Sequence, residues 1–165
     1  HRLDMDTYGV MLFAKNSTAG SDIRRQFEEH SVRKVYRAIL SPTGKGNINK
    51  GESGFISLPL SPDYDERPRQ KADPKQGKEA ITEYHVDEIR KDGILVTFRP
   101  LTGRTHQLRV HCAHPQGLGR PIKGDFLYGG VQSKPEFCEH PTLQLTADYL
   151  AFEHPATHEK IEFKL

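Results

Sequence analysis

Residues 81–100 read "ITEYHVDEIRKDGILVTFRP", two runs of strand-forming residues on either side of Lys91-Asp92-Gly93. Asp-Gly between alternating segments is a hairpin signal, so 81–89 and 93–100 predict an antiparallel pair. Working upstream, "RKVYRAIL" (33–40) reads as another strand, with Val35, Arg37 and Ile39 on one face and Lys34, Tyr36, Ala38 and Leu40 on the other. Residues 9–15, carrying the apolar run 10–14, read as a buried strand. Ser17 stands where it would cap a helix through "TAGSDIRRQFEEH" (18–30), whose Ile23 and Phe27 fall four apart on one face. Downstream, "LTGRTHQLRVHCAH" (101–114) reads as a turn and then a helix with Thr105 as its cap, and "ADYLAFEHP" with "KIEFKL" reads as a closing strand pair. The sum is α+β: a mostly antiparallel mixed sheet with a few flanking helices. Between the elements, 41–54 is turn chemistry, and 61–80, "SPDYDERPRQKADPKQGKEA", is a long charged loop bearing proline. Loops of that length in a compact domain are usually functional or disordered.

The chain has 165 residues, the size of one domain, and no internal repeat. Its two cysteines, Cys112 and Cys138, form no CxxC pair, which argues against a disulfide scaffold or cysteine-rich zinc site and fits a reducing, cytoplasmic setting. No apolar stretch approaches the roughly 20 residues that span a bilayer, so no membrane partner is expected. Net charge is only +2, yet the cations cluster: Arg24, Arg25, Arg33, Lys34 and Arg37, then Arg67, Arg69, Lys71, Lys75 and Lys78, then Arg104 and Arg109. Basic patches on a near-neutral protein fit a polyanion engaged over one face.

The opening residues "HRLDMD" place four ionisable groups, His1, Arg2, Asp4 and Asp6, directly ahead of an apolar run. Asp4 and Asp6 alone are a weak acid–base pair, since residues two apart at a strand entry need not converge. His106, His111, Cys112 and His114 offer metal-type donors within nine positions. On a helix, His111 and His114 share a face that His106 and Cys112 do not obviously join, so no metal is expected. There is no GxGxxG opening a helix, no P-loop and no serine nucleophile elbow.

Five motifs, "HRLDMDTYGVMLFAK", "KVYRAIL", "PLTGRTHQLRVH", "PIKGDFLYGG" and "LTADYLAFEHP", occur in the order and approximate spacing of the RluA family of pseudouridine synthases, which the chain resembles over nearly its whole length. "PLSPDYDERPRQ" followed by "GKEAITEYHV" is similar to the branch around RluA itself, whose members act on ribosomal or transfer RNA. The resemblance implies the pseudouridine synthase catalytic fold, with residues 1–165 as its catalytic domain. Family members carry strands, and often an accessory domain, ahead of "HRLD", so the expectation is a catalytic domain truncated at its N-terminus. It further implies an RNA isomerase working as a monomer without a cofactor. Asp4 matches the family's catalytic aspartate, Tyr36 its active-site tyrosine and Arg104 the arginine that pairs with the aspartate. Arg2, Arg67, Arg69, His106 and Gln107 are the implied RNA contacts. Two positions depart from the family pattern: Tyr8 stands where serine is common, and Thr146 where histidine is common.

The implied chemistry suits these residue types. Uridine becomes pseudouridine when the N1–C1′ bond breaks, the uracil turns and C5 bonds to C1′. The base must first leave its stack, which calls for an aromatic platform and a side chain to fill the gap; Tyr36 and Arg2 suit those tasks. A single carboxylate serves as nucleophile at C1′ or C6, provided a cation such as Arg104 keeps it ionised and aimed. The alternatives are a non-catalytic RNA-binding remnant and a metal-dependent hydrolase built on the histidines.

Overall fold

The structure is a computed structural model that describes residues 1–130 and 142–165. The 81–100 hairpin forms as read: β6 (Ile81–Arg90) and β7 (Gly93–Pro100) pair antiparallel from Thr82↔Pro100 to Arg90↔Gly93, with a bulge between Val86 and Glu88. Ile94, Val96 and Phe98 alternate inward and are 4 % exposed or less. Gly93 is required by packing, since a Cβ there would stand 2.5 Å from Ile39 Cγ2 and 2.9 Å from Leu40 O.

Around this pair the sheet grows in the order β1-β8-β2-β7-β6-β3, with β9 also on β8; the members are β1 (Tyr8–Gly9), β2 (Arg33–Leu40), β3 (Ser53–Ser57), β8 (Leu145–Glu153) and β9 (Lys160–Lys164). Among the described strands of this sheet, only β1 runs parallel to its neighbour. The row Tyr84–Phe98–Tyr36–Ala147 crosses four strands and places Tyr36 at a bulge of β2, between β7 and β8. One face of the sheet carries the core: Ala38, Leu40, Val96 and Phe98 cluster with Leu108 and Cys112 of α2 (Gln107–Ala113) and with Leu118, Ile122 and Leu145. Among the described residues, no helix is long and apolar enough to cross a membrane. Cys112 is a buried free thiol; Cys138 lies outside the described residues.

Several expectations are corrected. The strand expected over 9–15 shrinks to Tyr8–Gly9. After Val10 N–H reaches Ala147 O at 2.9 Å, the same edge of β8 is taken by β9 from Tyr149 onward, so no ladder remains for residues 11–15. That run is not buried throughout: Val10 and Leu12 pack toward Ile23 and Leu150, while Met11 and Phe13 face outward. Helix α1 (Ser17–Glu28) is capped by Asn16, whose side chain accepts Ala19 N–H at 2.9 Å, and not by Ser17. Buried Gln26 then exchanges two hydrogen bonds with the Glu153 backbone and fixes α1 to β8. Thr105 does not cap α2; His106 holds that position in the left-handed region at φ 52°. The loop expected over 61–80 contains part of a short hairpin, β4 (Leu60–Pro62) with β5 (Gln70–Ala72).

Tyr8 and Thr146, the two departures from the family pattern, are register partners across β1 and β8. Their neighbour Gly9, at φ 128°, lies so close to β8 that a Cβ would stand 2.3 Å from Ala147 O, which pins the segment carrying Asp4 to the sheet.

Candidate active site

The turn ahead of α2 is held from within. Gln107, 4 % exposed, accepts from Thr102 Oγ1 at 2.8 Å and from Arg104 N–H at 2.9 Å, and its amide donates to Ile81 O and to Thr82 Oγ1, both at 3.0 Å. Thr82 in turn meets His111 Nδ1 at 3.0 Å, and His111 Nε2 donates to Leu58 O at 3.2 Å. The side-chain polar groups of Gln107, Thr82 and His111 are all paired, so the network is rigid rather than destabilising. Burial pulls the His111 pKa down to about 4, with the hydrogen bond to Leu58 opposing, which leaves the ring neutral.

The result is a turn that presents Arg104 to a cavity of about 460 Å³, within the range of small-ligand pockets. Asp4 reaches the same cavity on the 4–7 turn, closed by Thr7 N–H to Asp4 O at 2.9 Å, and Tyr36 comes from β2. Arg2, Arg24, Lys34 and Arg104 line the same space with Asp4 as its carboxylate, a wall suited to a phosphate-bearing ligand. Burial, reinforced by the charge of Asp4, pushes the Tyr36 hydroxyl up to about 12. Its proton therefore stays in place throughout the neutral range.

Asp4, Tyr36, Arg104, Arg2 and Gln107 thus meet at one cavity, and Asp6 does not line it. Arg104 does not form the expected ion pair with Asp4: its Nε donates to Glu79 O at 2.8 Å. An exposed ion pair contributes at most about 1 kcal/mol, too little to outcompete a fixed carbonyl. Arg2 reaches Thr105 Oγ1 at 3.3 Å. Gln107, expected among the RNA contacts, has both amide atoms committed to the protein. His106 lies beside the cavity, its Nδ1 2.8 Å from Tyr128 Oη. Burial lowers its pKa, opposed in part by the charge of Asp4.

Arg67 and Arg69 sit on the β4–β5 hairpin, away from the cavity lining; Arg67 lies over the Tyr64 ring, and Arg69 pairs with Glu66 and lies over Tyr128. The four metal-type donors diverge: His111 and Cys112 are in the core, His106 is turned to Tyr128, and His114 accepts from Gln116 N–H at 3.2 Å. Among the described residues no three His, Cys, Asp or Glu side chains converge.

A family model described as RNA pseudouridylate synthase matches residues 1–114. The dual-specificity RNA pseudouridine synthase RluA of Pasteurella multocida is 40 % identical over 164 residues, covering 99 % of this chain and 70 % of that protein. The chain belongs to the RNA pseudouridine synthase family. The RluA of Escherichia coli is 39 % identical over 165 residues, again 99 % of this chain and 70 % of that pseudouridine synthase. The solved human RNA pseudouridylate synthase domain containing 1 superposes with a TM-score of 0.77 at 31 % identity, covering all of this chain and 66 % of that one. These are isomerases, and the mixed α+β sheet, with two helices among the described residues, is the pseudouridine synthase fold.

In this pseudouridine synthase neither Lys34 nor Thr7 was named from the sequence as a site residue, although both line the cavity. Lys34 lies two positions before Tyr36 on β2, and the strand period alone puts both on one face. No carboxylate pairs with it among the described residues, and burial lowers its pKa. Thr7 lines the cavity with a buried Oγ1 that has no partner among the described residues, which no local pattern announces.

Proposed function

We propose that this pseudouridine synthase converts a uridine in a stem-loop of ribosomal or transfer RNA to pseudouridine with Asp4 as nucleophile, as a cytoplasmic monomer without a cofactor. The observation that supports it is the convergence of Asp4, Tyr36 and Arg104 on one cation-lined cavity. The flipped uracil stacks on Tyr36, while Arg2 fills the vacated place in the stack. The Asp4 carboxylate adds to C1′ or to C6; N1–C1′ breaks, the base turns, C5–C1′ forms, the Asp4–carbon bond breaks to release the carboxylate, the C5 proton leaves to water and N1 gains a proton. Closure on RNA brings Arg104 from the Glu79 carbonyl to the carboxylate and strengthens the pair as water is excluded. Arg67, Arg69 and His106 contact the RNA, and Gln107 holds the turn behind them.

The test is tritium release from C5-labelled RNA. Asp4→Asn keeps the shape, removes the charge and abolishes release while RNA still binds. Asp4→Glu also fails, because a displacement of about 1 Å loses on the order of a hundredfold in rate. Arg104→Ala is strongly impaired alone and adds little to Asp4→Asn, since groups acting as one unit are not additive. Release by Asp4→Asn at the wild-type rate overturns the assignment.

A further inference from the structure

Tyr128 joins two parts of the molecule that lie far apart in sequence. Its Oη accepts the backbone N–H of Gln70, on β5, at 2.8 Å, and it stands 2.8 Å from Nδ1 of His106, beside the Asp4 cavity. Two guanidinium groups lie over its ring, Arg69 at 5.4 Å and Arg109 at 5.3 Å from the centroid. A phenol oxygen has one hydrogen and two lone pairs. Gln70 N–H takes a lone pair, which leaves the hydroxyl hydrogen for His106 Nδ1. The reverse polarity, with Nδ1–H donating, would leave the half-buried hydroxyl hydrogen without an acceptor among the described residues. Burial pushes the Tyr128 hydroxyl up to about 12, so it remains a donor. The His106 proton is then on Nε2, which has no partner among the described residues. Nothing in the catalytic scheme above uses this arrangement.

We infer that Tyr128 is a positioning residue that fixes His106 as its Nε2–H tautomer, presents that donor to an oxygen of the bound RNA next to Asp4, and ties it to the β4–β5 hairpin. The RNA half of this inference rests on the function proposed above. It explains why His106 sits in the left-handed region at φ 52°, where a non-glycine residue is strained: the bond to Tyr128 and the Gln107 network hold it there. The charged groups acting on His106 are Asp4 and Asp125, which favour its protonation, and Arg109 and Arg2, which oppose it. Donation from Tyr128 to Nδ1 also opposes protonation, since a proton at that nitrogen would break the bond.

Tyr128→Phe is the test, because it keeps the ring against the Arg69 and Arg109 guanidinium groups and removes only the hydroxyl. In the full chain labelled with ¹⁵N-histidine, two-bond ¹H–¹⁵N spectra report the tautomer directly. Wild type shows His106 with its proton on Nε2, and Tyr128→Phe shows a mixture and a raised His106 pKa. A wild-type proton on Nδ1 overturns the inference. On a uridine stem-loop RNA, Tyr128→Phe raises KM roughly tenfold with little change in kcat, the size expected for one charge-assisted hydrogen bond. It also loses the acid limb of kcat/KM, which in wild type arises as protonation of His106 breaks the bond to Tyr128. His106→Gln, whose amide nitrogen takes the place of Nε2, has no such limb, and adding Tyr128→Phe to it changes nothing further. A Tyr128→Phe enzyme of lower Tm but unchanged KM and pH profile has lost only structure, and that result overturns the role. If the wild-type chain leaves the RNA unconverted, the proposed function falls, while the spectra still decide the Tyr128–His106 bond.

Discussion

Arg109 and Asp125 form a two-pronged ion pair closed off from water, with Nε to Oδ2 at 2.8 Å and Nη2 to Oδ1 at 2.7 Å. The same carboxylate accepts the backbone N–H groups of Leu127 at 3.0 Å and Tyr128 at 3.1 Å, so it shapes the turn that carries Tyr128 to His106. Removing one partner of such a pair strands the other charge, which costs about 3–5 kcal/mol. Asp125→Asn preserves the turn and isolates Arg109, and its loss in urea unfolding is expected in that range. Arg109→Met combined with Asp125→Asn loses less than the sum of the single variants. Strict additivity would show that the pair is not coupled.

His111 gives stability a defined pH dependence. The folded state holds it neutral with a pKa of about 4, whereas the unfolded chain protonates near 6.5. Protons therefore bind preferentially to the unfolded state between those values. The His111 contribution is complete above about pH 6.5 and declines as pH falls toward 4, by about 3 kcal/mol in all. Urea midpoints measured from pH 7.5 to 4.5 are expected to fall, and His111→Asn, less stable throughout, is expected to show a shallower decline. Parallel curves for the two proteins would contradict this.

Tyr36 separates binding from turnover. Tyr36→Phe retains the ring and is expected to bind stem-loop RNA as wild type does while turning over more slowly. Tyr36→Ala loses the platform, with affinity down by about 1–3 kcal/mol. Because the hydroxyl titrates only at about 12, wild-type turnover has no limb from Tyr36 below pH 10. An alanine variant with unchanged affinity would remove the stacking role.

The β4–β5 hairpin is expected to dock RNA through phosphate contacts. Arg67 and Lys71 are exposed there, and Lys71 only weakly engages Asp63 at 3.8 Å. Replacing both by alanine should weaken RNA binding and flatten its salt dependence, the slope of log K against log salt falling by about 1–2. An unchanged slope would place the docking surface elsewhere.

Sequence alone determined the elements whose signals are local. The 81–100 hairpin, the strand 33–40 and the amphipathic face of Ile23 and Phe27 follow from periodicity and turn chemistry, which act between near neighbours. The ordered motifs likewise marked Asp4, Tyr36 and Arg104, which the fold gathers at one cavity although they come from three separate segments. Tertiary structure alone decided how long β1 could be, because β9 competes for the same edge of β8. It also turned Gln107 from a surface contact into an interior brace, linked Gln70 to His106 through Tyr128, and set Arg104 on the Glu79 carbonyl. The last three rest on hydrogen bonds between residues 20 or more positions apart. Pairings at that distance depend on where the whole sheet brings the chain, and no periodicity in a single segment encodes them.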